Sequence, residues 1–136
     1  MSTLYAGFGC RRGCPAQTLQ RLLRQTLAAN GLALANVQGI ASLEHKIEEP
    51  GLRQLARQLD LPLTGYGAPG LLEFASFLSH RSAVAYRSTG CWGVAESTAL
   101  ALASDRGANA YLRVTRQACA DATVALACFD SPSRTL

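Results

Sequence analysis

The chain has 136 residues, 49% of them apolar and 16% charged, a composition that excludes a disordered chain and predicts one globular domain. A chain of this length buries roughly two-thirds of its unfolded surface, so it needs no disulfide or metal staple. Thirteen basic residues against nine acidic give +4, which without Lys/Arg runs is weak evidence for nucleic-acid binding, and no apolar run approaches the ~20 residues of a membrane span.

The first element in chain order is a short buried strand over residues 2–8, followed by a turn over residues 9–13. Pro15 suits the first turn of the next helix, which runs to about Asn30. Leu19, Leu22, Leu23 and Leu27 form its apolar face, and Gly31 stops it. Residues 36–43 read as a second strand. The polar loop "EHKIEEPG" follows, with Pro50 opening a second helix striped by Leu52, Leu55, Ala56 and Leu59. "LPLTGY" is a brief third strand. Pro69 starts a third helix, with Leu72, Phe74, Ala75 and Leu78 partly inward. Residues 80–86 carry no clear pattern. A turn and then an alanine-rich helix occupy residues 88–104, the helix starting near Gly93. Two strands close the domain, over about 110–117 and 123–129, and residues 131–136 read as a loose tail.

This alternation predicts an α/β fold, with the terminal hairpin making its partly parallel sheet a mixed one. Ligands in such folds sit at the carboxyl ends of strands. The turn "GFGCRRG" lies at one such end and "EHKIEEPG" at another.

"GFGCRRG" offers Gly7, Gly9 and Gly13, but Arg12 stands where a dinucleotide fingerprint needs its third glycine. No acidic residue occurs before Glu44, and no Walker Gly-Lys-Ser/Thr is present, so both nucleotide readings are weak. Anion binding remains. The turn feeds a helix N-terminus, and Arg11 and Arg12 add forked donors. The plain alternative is a tight turn with its arginines in solvent.

Cys10 and Cys14 lack the second pair of a zinc site and the two-residue spacing of a redox motif. A helix N-terminus would activate Cys14, but small buried thiols are the simpler reading. His45 is a candidate general base, Glu49 a second, and Lys46 a charge clamp; a solvated loop is the alternative. Ser88, Thr89, Trp92 and Glu96 sit in "STGCWGVAES", where Trp92 is a candidate lid over a flat ligand or simply a packed side chain. No Gly-x-Ser-x-Gly elbow is present.

Together these motifs resemble the cobalamin-biosynthesis family of CobE and the C-terminal domain of CbiG. "GFGCRRGCPAQTL" resembles its opening Gly-x-Gly-Cys-Arg-Arg-Gly. Lys46, Glu49, Pro50, Gly51 and Leu52 match a second motif. Val94, Glu96, Ala99 and Leu100 match a third, and "ATVALA" resembles its closing strand. Cys14 departs from the usual capping Thr or Ser, Arg116 stands near a frequent Lys, and "QACAD" replaces a more glycine-rich connection.

The resemblance implies a three-layer α/β/α sandwich, one domain over residues 1–130 with a 131–136 tail. It also implies a role in corrin-ring assembly, of the stand-alone CobE type. The expected partner is an anionic corrinoid or precorrin intermediate, with other cobalamin-pathway enzymes as further candidates. It would be held through Gly9, Cys10, Arg11, Arg12, Gly13 and Lys46, and through Ser88, Thr89, Trp92 and Glu96. The enzymatic alternative is a hydrolase opening a precorrin lactone or removing its acyl fragment, with His45 or Glu49 as base. A phosphate- or nucleotide-binding module is a third reading. No cofactor, metal, nucleic acid or membrane is expected. With five cysteines and no visible export signal, the expected location is the cytoplasm.

Overall fold

The computed structural model describes residues 3–79 and 81–132. Strand β1 (Leu4–Cys10) leads through the glycine turn into helix α1 (Ala16–Ala29). Then come β2 (Val37–Leu43), α2 (Pro50–Leu59) and β3 (Leu63–Tyr66). A short α3 (Ala68–Leu71) continues as a 3-10 stretch over Leu72–Phe77, and α4 spans Ala83–Thr89. The long helix α5 (Val94–Arg106) is followed by β4 (Gly107–Ala108), β5 (Tyr111–Ala118), β6 (Ala122–Cys128) and β7 (Ser131–Pro132).

Five strands form one sheet in the order β3-β2-β1-β6-β5. The β1/β2 and β2/β3 pairs are parallel; β1/β6 and β6/β5 are antiparallel. The mixed sheet and its C-terminal hairpin are those the strand–helix alternation predicts.

Buried apolar residues pack on both faces of the sheet. Helices α1 and α2 cover one face, packing Leu19, Leu23, Leu52 and Leu55 against Phe8, Ile40 and Leu126. Each such side chain contributes about 1.5–3 kcal/mol on burial. Helix α5 covers the other face, where Tyr5, Ala99, Ala103, Ala125 and Ala127 meet. Small residues allow this approach. A Cβ on Gly7 would lie 2.0 Å from the Ala95 carbonyl oxygen, so β1 and α5 touch backbone to backbone.

Three local expectations change. The third helix is one turn of α-helix before the backbone tightens into 3-10, and Leu71, not Leu72, is buried. The patternless 80–86 stretch contains the start of α4, whose N-cap Ser82 Oγ accepts from Ala85 N at 3.1 Å; residue 80 lies outside the described residues. Ser131–Pro132 pair with Gly107–Ala108, so the expected tail begins with a paired segment, and residues 133–136 lie outside the described residues. Among the described residues no helix is long and apolar enough to cross a membrane.

Candidate functional site

The carboxyl end of β1 gathers several segments. Cys10 pairs with Ala122 and Gly9 with Thr123, so the β5–β6 turn lies beside the glycine turn. Arg11 N donates to Asp121 O at 2.9 Å, extending that ladder by one bond. A Cβ on Gly9 would meet Val94 at 3.6 Å, which puts the first turn of α5 over the same edge.

Between these segments lies an open cleft of about 270 Å³. Gly9 and Arg11 line one side, Trp92 and Glu96 another, and Arg116 and Asp121 a third. The Arg11 guanidinium reaches Asp121 only at 4.0 Å, and its side chain is 77% exposed. This ion pair therefore contributes little and leaves Arg11 available for a ligand.

Trp92 is only partly buried. Tyr86 stacks on it with ring centroids 4.3 Å apart at 18°, and the Arg81 guanidinium lies 5.2 Å from the indole centroid. The ring is thus already engaged by its own chain. Ser82 N donates to Trp92 O at 2.8 Å, closing the 82–92 segment on itself.

Glu96 is 1% exposed. One carboxylate oxygen accepts from Ser79 N at 2.8 Å; the other accepts from Arg116 N at 2.8 Å and from the Ser79 hydroxyl. The carboxylate sits in the first turn of α5, where the helix dipole favours negative charge.

A second group lies behind the glycine turn, at the start of α2. Gly13 N donates to Glu49 Oε1 at 2.8 Å, with Gly13 at φ 79°. A Cβ on Gly51 would lie 2.0 Å from the Cys14 carbonyl oxygen, so the two loops pack backbone to backbone. The Cys10 thiol is pushed up to about 11 by burial, against the pull of the nearby Lys46 ammonium. Burial also raises Cys14, so activation by the helix N-terminus does not prevail. The N-cap of α1 is Pro15, one residue beyond the position read as the cap, and it offers no side-chain acceptor.

Of the residues singled out in the sequence, Gly9, Cys10, Arg11, Trp92 and Glu96 line the cleft. Gly13 and Glu49 form the neighbouring loop contact. Lys46 is half-buried in its 3-10 turn, while Arg12 and His45 are exposed. Ser88 and Thr89 end α4, where their hydroxyls donate back to helix carbonyls: Ser88 Oγ to Val84 O at 3.1 Å, Thr89 Oγ1 to Ala85 O at 2.6 Å. Sequence reasoning missed Ser82, Asp121 and Thr123 as cleft residues, and noted Arg116 only as a departure. A polar pair closing a hairpin beside a glycine turn is the available signal, but only the antiparallel register reveals it.

The fold is that of an α/β sandwich protein with an open cleft at the carboxyl end of β1. The family model described as "Cobalamin synthesis G C-terminus" matches residues 4–127. Protein CobE of Sinorhizobium sp is 38% identical over 124 residues, covering 91% of this chain and 79% of that protein. A crystal structure of CobE, a protein from the cobalamin biosynthetic pathway, superposes with a TM-score of 0.90 at 43% identity. It covers 97% of this chain and 94% of the other. A cobalt-precorrin-5A hydrolase of Priestia megaterium is 27% identical over 97 residues, which span 71% of this chain but 25% of the hydrolase. The chain belongs to the CobE/CbiG C-terminal domain family of cobalamin biosynthesis proteins.

Proposed function

We propose that the protein binds an anionic corrin-ring intermediate in the cleft at the β1 edge. Corrin precursors carry acetate and propionate carboxylates around a flat macrocycle. The observation that carries the reading is the convergence of Arg11 and Arg116 on one open cleft beside Trp92. Exposed guanidinium forks match carboxylates in pairs. Arg12, which follows Arg11, and Lys46 do not line the cleft and would serve as outer contacts for the ligand's remaining carboxylates.

Trp92 contributes an edge to the ligand, since Tyr86 and Arg81 already engage its ring. Ser88 and Thr89 hold α4 together, and Glu96 supports the cleft wall. The reading places the protein in the cytoplasm, with other cobalamin-pathway enzymes as candidate partners.

Co-elution with a corrin-ring polycarboxylic acid on gel filtration tests this reading. Complex formation at micromolar concentrations is expected, weakened in Arg11→Ala/Arg116→Ala. Separate elution of protein and pigment contradicts it.

A second reading rests on the similarity to the cobalt-precorrin-5A hydrolase. Hydrolysis of a precorrin lactone or acyl group would use His45 or Glu49 as base, with Arg12 or Lys46 at the oxyanion. Glu49 already accepts from Gly13, and His45 does not line the cleft, so binding is the better supported function. Turnover of the lactone by the isolated protein, lost in His45→Gln, would reverse that order.

A further inference from the structure

Strand β5 does not pair evenly with β6. The register steps from Val114↔Leu126 to Gln117↔Val124, leaving Thr115 and Arg116 without partners on β6. The strand bulges at this point. Bulges bend a strand and re-aim a side chain, and they recur beside functional sites.

The bulged backbone is captured from outside the sheet. Arg116 N donates to Glu96 at 2.8 Å, 20 residues away in sequence. The same carboxylate holds Ser79, 17 residues away on the other side, through both its N–H and its hydroxyl. A carboxylate at 1% exposure carries a desolvation cost that three donors offset. An apolar residue in its place would leave the Ser79 and Arg116 N–H groups without this acceptor. What the carboxylate adds is a fixed position for the segments it joins.

Resting on the corrinoid-binding reading above, we propose that Glu96 is a positioning residue of the cleft. It pins the bulged backbone at Arg116 and the segment at Ser79, so that the Arg116 guanidinium faces the cleft to receive a ligand carboxylate. Glu96 acts on the ligand through Arg116 and does not touch it.

A double-mutant cycle tests the proposal. Affinity for a corrin-ring polycarboxylic acid is measured by absorbance titration for the native protein, Glu96→Gln, Arg116→Ala and the double variant. Ser79 N and Arg116 N donate to different carboxylate oxygens, and a glutamine turns one of these into an NH2 donor, so one backbone N–H loses its partner. Glu96→Gln is expected to weaken binding about tenfold, as for loss of a hydrogen bond to a charged group. The double variant is expected to bind no worse than Arg116→Ala alone. Conservative Ser79→Ala removes only the hydroxyl, and repeats the cycle if Glu96→Gln does not fold. Its smaller loss must also vanish in the Arg116→Ala background.

Amide hydrogen exchange supplies a ligand-free readout. The Arg116 N–H is expected to exchange slowly in the native protein and fast in Glu96→Gln or, if that variant does not fold, faster in Ser79→Ala. Losses that simply add in the cycle overturn the proposal, as does unchanged affinity in Glu96→Gln. Native protein that binds no corrin acid overturns the functional reading and this proposal with it. Native binding with additive losses overturns this proposal alone.

Discussion

The backbone N–H of Gly13 donates to the Glu49 carboxylate at 2.8 Å, across 36 residues of sequence. This bond ties the turn after β1 to the start of α2, where the Gly51 backbone meets the Cys14 carbonyl. The two motifs that stand out most in the sequence are thus one structural unit. The bond also fixes the turn that presents Arg11 and Arg12. Removing the acceptor in Glu49→Ala is expected to lower stability by about 1–2 kcal/mol. Glu49→Gln, which keeps an acceptor oxygen, should retain most of it. Urea unfolding of the three proteins measures the difference, and an unchanged midpoint in Glu49→Ala contradicts the role.

Helix α5 touches β1 at Gly7. A Cβ there would lie 2.0 Å from Ala95 O and 2.5 Å from Ala99 N, both backbone atoms that cannot rotate away. Gly7→Ala is expected to cost about 3 kcal/mol or more, by forcing the helix off the sheet. Gly70→Ala in α3 meets nothing within 4 Å and serves as the control. It should be neutral, or stabilising by up to about 1 kcal/mol through lower unfolded-state entropy. Thermal unfolding distinguishes the two, and similar melting temperatures would refute the close approach.

Much of the architecture follows from local pattern. Apolar spacing marks α1 and α2, the runs around Ala6, Ile40 and Leu126 mark the buried strands, and alanine density marks the helix that packs closest. The parts that escape are set at a distance. Residues Val84 and Tyr86 of α4 are exposed, so that helix shows no inward stripe. The partners of Glu96, Ser79 and Arg116, lie 17 and 20 residues away, and nothing nearby in sequence reveals them. The bulge at Arg116 breaks the period of two that would place its side chain. The cleft wall from β5–β6 depends on antiparallel pairing with β1, which joins the two ends of the chain.

The thiols respond to burial. Cys119 is exposed, whereas Cys14, Cys91 and Cys128 are buried. Iodoacetamide at pH 8 is expected to modify Cys119 first, followed by mass spectrometry of peptides. Cys10, at about 11, should react slowly at that pH and faster as pH rises. Its folded pKa lies above the unfolded value of 9.0, so it contributes stability below pH 9 that is lost as pH rises through about 11. Cys10→Ala should flatten the fall in unfolding midpoint across that window. Preferential labelling of Cys10 or Cys14 at pH 8 would contradict this environment.

The most direct measurement uses Trp92, the one tryptophan of the chain, which lines the cleft. The protein is titrated with a corrin-ring polycarboxylic acid while tryptophan emission and the visible spectrum of the pigment are followed together. Saturable quenching at micromolar ligand is predicted, with a matching spectral shift. Arg11→Ala/Arg12→Ala is predicted to weaken binding about five- to tenfold at low salt, with less effect at high salt where exposed charges are screened. Emission that does not saturate, or binding indifferent to both arginines and to salt, would contradict an anionic corrin site at the β1 edge.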